Sequence, residues 1–156
     1  MQTITYTLQP GRGFTIDPVN SAIVQFADRR SDILTGTNRG DRLVGTRRDD
    51  RLEGLGGNDT LNGSAGNDVL IGGAGSDIMT GGSGRDVFGI QTGVGVDTIT
   101  DFRNQDRIGI GANVNFGQID IVRQGRDTLI RSGRDELAVL RNVRANQITA
   151  ADFVRV

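Results

Sequence analysis

A nine-residue period runs through the middle of this chain and constrains its fold more than any other feature. Seven aspartates recur at this interval, and a large apolar residue follows each of them two positions later. A nine-residue unit is too short to bury its own apolar face, so the period predicts a stack of repeated units. The aspartates are Asp32, Asp41, Asp50, Asp59, Asp68, Asp77 and Asp86, and the apolar residues are Leu34, Leu43, Leu52, Leu61, Leu70, Met79 and Phe88.

Glycines mark the turn of each unit. One glycine opens the unit and, in four units, a second lies two positions before the aspartate. Glycine takes a positive φ without a Cβ penalty, so each unit is predicted to form a turn followed by a short extended segment. The opening glycines are Gly36, Gly45, Gly54, Gly63, Gly72 and Gly81, and the second glycines are Gly57, Gly66, Gly75 and Gly84.

The period also predicts how the units are arranged. Two units back to back make one coil of 18 residues, and coils stack at the strand spacing of about 4.8 Å. Residue n then lies over residue n+18, which places alternate aspartates in two opposite columns. The apolar residue of each unit is expected to face inward between two sheets. One column holds Asp41, Asp59 and Asp77, and the other holds Asp32, Asp50, Asp68 and Asp86.

Composition narrows the chemistry of these columns to oxygen ligands. The chain has no Cys and no His, which excludes disulfides, zinc fingers, thiolate chemistry and imidazole bases. A column of carboxylates repels itself unless a cation lies between them. The cation that takes roughly six to eight oxygens, at about 2.3 to 2.6 Å, is Ca²⁺. All basic residues are arginines and the net charge is -1, which favours neither nucleic acid nor a membrane surface as a partner.

Residues 54–89 resemble the GGxGxDxUx nonapeptide of the RTX (repeats-in-toxin, hemolysin-type) calcium-binding family, in the copies GLGGNDTLN, GSAGNDVLI, GGAGSDIMT and GGSGRDVFG. The resemblance implies an all-β fold, a right-handed parallel β-roll (β-solenoid) with a small β-rich C-terminal cap. It implies that Ca²⁺ is held between successive turns by aspartate carboxylates and turn carbonyls. It also implies export by a type I secretion machinery, and therefore a secreted or cell-surface protein.

The expected metal-binding residues are the glycines and aspartates of the repeats. They are Gly54, Gly57, Asp59, Gly63, Gly66, Asp68, Gly72, Gly75, Asp77, Gly81, Gly84 and Asp86, with Asp41, Asp50 and Asp97 at the two ends. Arg39 and Arg48 replace the second glycine in the first two units, so Asp32, Asp41 and Asp50 are either ligands or surface carboxylates paired with Arg29, Arg30, Arg42 or Arg51. Asp97 is either a ligand or a turn cap, and Asp101 and Asp106 are either ligands or strand-end carboxylates.

Three segments are predicted: N-terminal strands over 1–31, the roll over 32–100, and a capping subdomain with a possible secretion signal over 101–156. The N-terminal strands are TITYTL and SAIVQF. The roll is expected to end near residue 100, because Asp97 lies eleven residues after Asp86. In the cap, QIDIV, DTLI and ELAVLRNV are predicted strands joined by QGRD and SGRD turns, and ANQITAADF (145–153) is a predicted helix.

The predicted function is a secreted module that folds on binding calcium. The alternative is a calcium-stabilised accessory module that binds acidic polysaccharide or a cell surface, with Arg123, Arg126, Arg131 and Arg134 facing the polymer. An enzyme is not expected, because the chain lacks His, Cys, Lys and a GxSxG motif, although an aspartate pair of the glycosidase type stays open. A monomer is expected, without membrane insertion.

Overall fold

The computed structural model describes residues 24–26, 31–93, 95–112 and 114–156. The first predicted strand, TITYTL, lies outside these residues. Of the second, SAIVQF, only its last three residues are described, and they form strand β1 (Val24–Phe26). The predicted segment 1–31 therefore stays a prediction.

Ten short parallel strands build two facing sheets, and the chain alternates between them. The odd-numbered strands lie in one sheet and the even-numbered strands in the other. After β1 come β2 (Ile33–Thr35), β3 (Arg42–Val44), β4 (Arg51–Gly56), β5 (Thr60–Asn62), β6 (Val69–Ala74), β7 (Ile78–Thr80), β8 (Val87–Ile90), β9 (Asp97–Ile99) and β10 (Arg107–Ile110). The predicted parallel β-roll is confirmed.

The strand register follows the 18-residue coil. Leu43 pairs with Leu61 and Leu61 with Met79 in one sheet, while Leu52 pairs with Leu70 and Leu70 with Phe88 in the other. These apolar residues point between the sheets, and all seven predicted inward-facing residues are buried. Burial of each such side chain stabilises the fold by roughly 1.5 to 3 kcal/mol.

The parallel stack continues ten residues past the end predicted at residue 100. Met79 pairs with Ile99 and Phe88 with Ile108, so this last coil has 20 residues instead of 18. The two additional residues lie in the turn between β8 and β9, where Gly93 and Gly95 take positive φ. An insertion in a turn leaves the strand register unchanged, which is why the roll does not stop there. The division into domains itself stays a prediction.

Three antiparallel strands form the cap, as predicted. They are β11 (Ile119–Gln124), β12 (Asp127–Ser132) and β13 (Asp135–Leu140), and they follow a short 3₁₀ helix, η1 (Phe116–Gln118). Gly125 and Gly133 open the two connecting turns with φ of 67° and 63°. Strand β13 lies parallel to β9, so the cap extends one sheet of the roll.

The helix predicted over 145–153 is wrong. This segment forms two 3₁₀ turns, η2 (Ala145–Gln147) and η3 (Ala150–Asp152), followed by β14 (Phe153–Arg155), which pairs in parallel with β10. Ile148 is buried in the core with extended backbone, and Asp152 accepts hydrogen bonds from the amide and hydroxyl of Thr149. Burial of Ile148 and the hydrogen bonds from Thr149 to Asp152 favour two short 3₁₀ turns over one continuous helix. No helix in the described residues is long and apolar enough to span a membrane.

Candidate metal centre

A ladder of hydrogen bonds joins the aspartates of each column. The amide of each aspartate donates to Oδ1 of the aspartate one coil further on. In one column the distances are 2.7 Å from Asp41 to Asp59, 2.8 Å from Asp59 to Asp77 and 3.2 Å from Asp77 to Asp97. The other column runs from Asp32 through Asp50, Asp68 and Asp86 to Asp106, at 2.7, 2.8, 2.9 and 3.1 Å. The two predicted columns are present.

The second carboxylate oxygens of three aspartates are buried without a partner. Oδ2 of Asp59, of Asp68 and of Asp77 makes no hydrogen bond in the part of the chain that the structure describes. These side chains are at most 1% exposed. An unsatisfied buried polar atom costs roughly 1 to 3 kcal/mol, and more when it is charged. The three atoms occupy equivalent positions, and a cation between the turns would satisfy each of them.

The opening glycine of each unit makes room for these oxygens. A Cβ on Gly54 would overlap Oδ2 of Asp59 and would lie 2.5 Å from the carbonyl oxygen of Gly72, in the next turn of the column. A Cβ on Gly63 would likewise meet Oδ2 of Asp68 and the carbonyl oxygen of Gly81. Only glycine therefore lets a carboxylate oxygen and a carbonyl oxygen of the next turn lie on the same side of the backbone.

The second glycines hold the turns in a conformation that other residues rarely adopt. Gly57, Gly66, Gly75 and Gly84 have φ of 102°, 117°, 136° and 135°. A Cβ on Gly75 would overlap the carbonyl oxygen of Gly57, and one on Gly84 that of Gly66. The predicted positive φ of these glycines is confirmed, and each turn also approaches the preceding turn of its column through backbone atoms.

Two further turn residues have a backbone conformation that the glycine pattern does not predict. Leu55 and Ser64, at the second position of their units, have φ of 74° and 78°. A non-glycine residue in this region costs roughly 1 to 2 kcal/mol. The equivalent residues Gly73 and Gly82 also have positive φ. The sequence does contain a signal for this strain, because glycine occupies the same second position in the next two units.

The donor set suits a hard cation. Among the described residues, no three or more acidic side chains converge on one point, so any cation here needs backbone carbonyl oxygens besides carboxylates. Carboxylates and carbonyls packed in glycine turns provide only oxygen donors, which Ca²⁺ accepts in flexible geometry. The residues present therefore fit calcium.

Burial changes the acid–base behaviour of the columns. It raises the pKa of Asp59 and of Asp68 to about 7, with a smaller contribution from the charges of the neighbouring aspartates. Burial and the charge of Asp77 raise the pKa of Asp97 to about 8. The pKa values of Asp77 and Asp86 are raised for the same first reason. Without a metal, the folded roll therefore binds protons near neutral pH at Asp59, Asp68 and Asp97.

We predict that acid partly replaces calcium. The folded-state pKa values of Asp59 and Asp68 lie above the ordinary value of 3.8, so this contribution to stability is present below pH 3.8 and is lost as the pH rises through about 7. In excess chelator, circular dichroism should show more β-structure at pH 5 than at pH 8. Equal or greater β-signal at pH 8 would contradict the prediction, and the same comparison in saturating calcium is the control.

The aspartates of the first two units are buried, unlike the surface carboxylates that one of the two interpretations expects. Asp41 and Asp50 are 4% and 3% exposed, so that alternative is wrong for both. Of the four arginines expected to pair with these aspartates, Arg51 forms an ion pair with Glu53 at 2.6 Å, and Arg29 and Arg30 lie outside the described residues. Asp41 and Asp50 as metal ligands stay a prediction.

The end of the roll has a different set of contacts. Asp97 and Asp106 are buried and continue the two columns. Asp101 accepts hydrogen bonds from the amides of Gly81 and Gly82 at 2.9 and 2.8 Å, and it therefore caps the turn that begins at Gly81. The ladder position of Asp106 was missed because the 20-residue coil breaks the nine-residue count.

Comparison with known proteins gives the same picture of the repeats. The family model of the RTX calcium-binding nonapeptide repeat matches residues 35–70 and 54–88, with four copies. The AlgE6R3 subunit of the Azotobacter vinelandii mannuronan C5-epimerase is similar in structure, with 29% identity, 80% of each chain covered and a TM-score of 0.57. The AlgE6R2 subunit of that enzyme shares 27% identity over 86% of this chain and 92% of its own, with a TM-score of 0.53. Among curated proteins no match was found.

Proposed function

Because residues 35–88 are repeats of the RTX calcium-binding nonapeptide family, we propose that this protein is a calcium-binding module whose β-roll folds when calcium binds between stacked turns. The observation that carries the proposal is the set of three buried, unpartnered carboxylate oxygens on Asp59, Asp68 and Asp77. Each lies beside an opening glycine, and beside Asp59 and Asp68 a carbonyl oxygen of the next turn lies on the same side of that glycine.

The proposed ligands are the aspartates of the interior turns together with backbone carbonyls of the glycine turns. Calcium supplies positive charge between carboxylates that otherwise repel each other. The chain itself positions these groups, since the amide ladder fixes Oδ1 of Asp59, Asp68 and Asp77 and leaves their Oδ2 for the metal. A ligand that binds only the folded state adds about 2.7 kcal/mol of stability at a concentration of one hundred times its Kd.

Replacing Asp68 by asparagine tests the proposal. The asparagine oxygen can still accept the amide of Asp50, but the charged Oδ2 is lost. We expect calorimetry to show fewer calcium ions bound per chain, or an affinity at least tenfold weaker, which is about 1.4 kcal/mol. Asp120→Asn is the matched control, because Asp120 is exposed and pairs across the cap with Arg131. Equal calcium binding by both variants would refute Asp68 as a ligand.

We also propose that the protein acts outside the cell or at the cell surface after type I export, as a monomer without enzymatic activity of its own. Support comes from the family of the repeats. Expression with and without a type I exporter tests the route. Accumulation in the medium only with the exporter is expected, and equal retention in both cultures would contradict it.

A second candidate function is binding of an acidic polysaccharide. A cleft of about 730 Å³ on the cap is lined by Arg123, Arg126 and Arg144. Both similar structures are subunits of an enzyme named for mannuronan. The predicted four-arginine surface is divided in this fold, since Arg131 is paired with Asp120 at 3.0 Å and Arg134 lies in the other hairpin turn. The cleft arginines are therefore the proposed contacts.

Affinity chromatography on a polyuronate tests this second candidate. With calcium present, the wild type should be retained, the double variant Arg123→Ala and Arg126→Ala should elute earlier, and Arg131→Ala with Arg134→Ala should behave as the wild type. No retention of the wild type on any acidic glycan, with or without calcium, would eliminate this function.

A further inference from the structure

The turns of the repeat fall into two classes. In the turns that begin at Gly54, Gly63, Gly72 and Gly81, the second and fourth residues both have positive φ. In the first two units these positions hold Thr37 with Arg39 and Thr46 with Arg48, and none of the four has a positive φ. The first two turns therefore have a different backbone conformation, although their aspartates occupy the same ladder.

The threonines donate to the oxygen that is unpartnered in the interior turns. The amide and hydroxyl of Thr37 lie 2.5 and 2.9 Å from Oδ2 of Asp41. The amide and hydroxyl of Thr46 lie 2.6 and 2.9 Å from Oδ2 of Asp50. Asp50 is thus fully bonded, because its Oδ1 accepts the amide of Asp32. Asp59 and Asp68 have the ladder bond but no bond equivalent to that of the threonine, since Leu55 precedes Asp59 at this position and Ser64, which precedes Asp68, donates its hydroxyl to the carbonyl oxygen of Gly45 instead.

We propose that Thr37 and Thr46 take the place of calcium in the first two turns, so that these turns hold their aspartates without metal and calcium is confined to the glycine turns. The inference rests on the proposed function, since it assigns which turns of the calcium-binding roll take part. It makes Asp41 and Asp50 structural residues instead of the ligands that the sequence predicts.

Two physical reasons support the assignment. An oxygen that accepts an amide and a hydroxyl has positive hydrogens where a cation would approach. In addition, the N–H and C=O of a trans peptide group point in opposite directions. The amide of Thr46 points at the carboxylate, so the carbonyl oxygen of Gly45 in the same peptide group points away from it. The turn thereby loses a carboxylate oxygen as a ligand, and its own Gly45 carbonyl does not replace it, while the carbonyl oxygen of Gly63 in the next turn still lies on that side.

At the C-terminal end of one column, the protein's own donors also bond both oxygens of the aspartate. Oδ1 of Asp106 accepts the amide of Asp86, and its Oδ2 accepts the amide of Arg103 at 2.8 Å. The guanidinium of Arg103 also donates to the carbonyl oxygen of Gly82. In this column Asp50 and Asp106 therefore have both carboxylate oxygens bonded by the protein's own donors, and among the described residues its buried unpartnered oxygen is Oδ2 of Asp68.

Restoring the glycines tests the proposal by gain of a site. In the full chain, Thr46→Gly with Arg48→Gly converts GTRRDD to GGRGDD. Equilibrium dialysis should show about one more calcium ion per chain than in the wild type, while Thr46→Ser, which keeps both donors, should show no gain. A folded double variant with no additional ion would overturn the proposal.

A second comparison tests the role of Thr46 even if the double variant does not fold. Asp50→Asn should leave the calcium stoichiometry of the wild type unchanged, while Asp68→Asn should lower it. Equal losses in the two variants would overturn the role of Thr46. Absence of calcium binding by the wild type is a different result, because it would refute the proposed function itself.

Discussion

Alanine at position 84 is expected to lower the free energy of unfolding by about 3 kcal/mol, measured by denaturant unfolding in saturating calcium. Gly84 has a φ of 135°, and an added Cβ would overlap the carbonyl oxygen of Gly66 in the preceding turn of its column. The strained φ contributes roughly 1 to 2 kcal/mol and the overlap roughly another 1 to 3 kcal/mol. Because that oxygen belongs to the backbone, the neighbouring turn has to move.

Gly133→Ala is the matched control for this effect. Gly133 also has a positive φ, 63°, but nothing lies within 4 Å of its added Cβ. Its replacement should therefore cost only the conformational term, about 1 kcal/mol. If Gly84→Ala were no more destabilising than Gly133→Ala, the close backbone approach between stacked turns would be wrong.

Truncation of the apolar column is the second large effect. Leu70 is fully buried and lies between Leu52 and Phe88 in the stack. Leu70→Ala should lower the free energy of unfolding by about 2 to 5 kcal/mol, because it removes buried methyl groups and leaves a cavity between rigid coils. Denaturant unfolding in saturating calcium measures it.

Ile78 provides the control for Leu70, because it is an exposed apolar residue of the same roll. Its side chain is 47% exposed on β7, so Ile78→Ala should change the free energy of unfolding by about 0.5 kcal/mol or less. Similar losses at Leu70 and Ile78 would contradict the inward and outward alternation of the strands.

The nine-residue period predicted most of the fold because each part of the unit has one physical role. The spacing of Asp59 and Asp77 determines which aspartates are neighbours, and the position of Leu61 determines which residues enter the core. These consequences follow from a coil of fixed length, and the structure confirms them. The cap strands followed from their apolar alternation and from the Gly-Arg turns between them.

Other features depend on contacts that a repeat count does not contain. The hydrogen bonds of Thr46 to Asp50 require a turn conformation that becomes apparent only with the backbone present. The stack continues to β10 because an insertion in a turn leaves the register intact, whereas the sequence shows only a break in the period. The helix predicted around Ile148 does not form because Ile148 is buried in the core, and the local sequence does not show that burial.

Far-UV circular dichroism during a calcium titration tests the central claim most directly. The account predicts little β-structure in excess chelator at pH 8, a cooperative rise in β-signal with Ca²⁺, and no such rise with Mg²⁺, which requires a tighter octahedral shell of about 2.0 to 2.1 Å. A spectrum that is already β-rich in chelator at pH 8 and unchanged by calcium would contradict it. The roll would then be held by its apolar columns and hydrogen bonds alone.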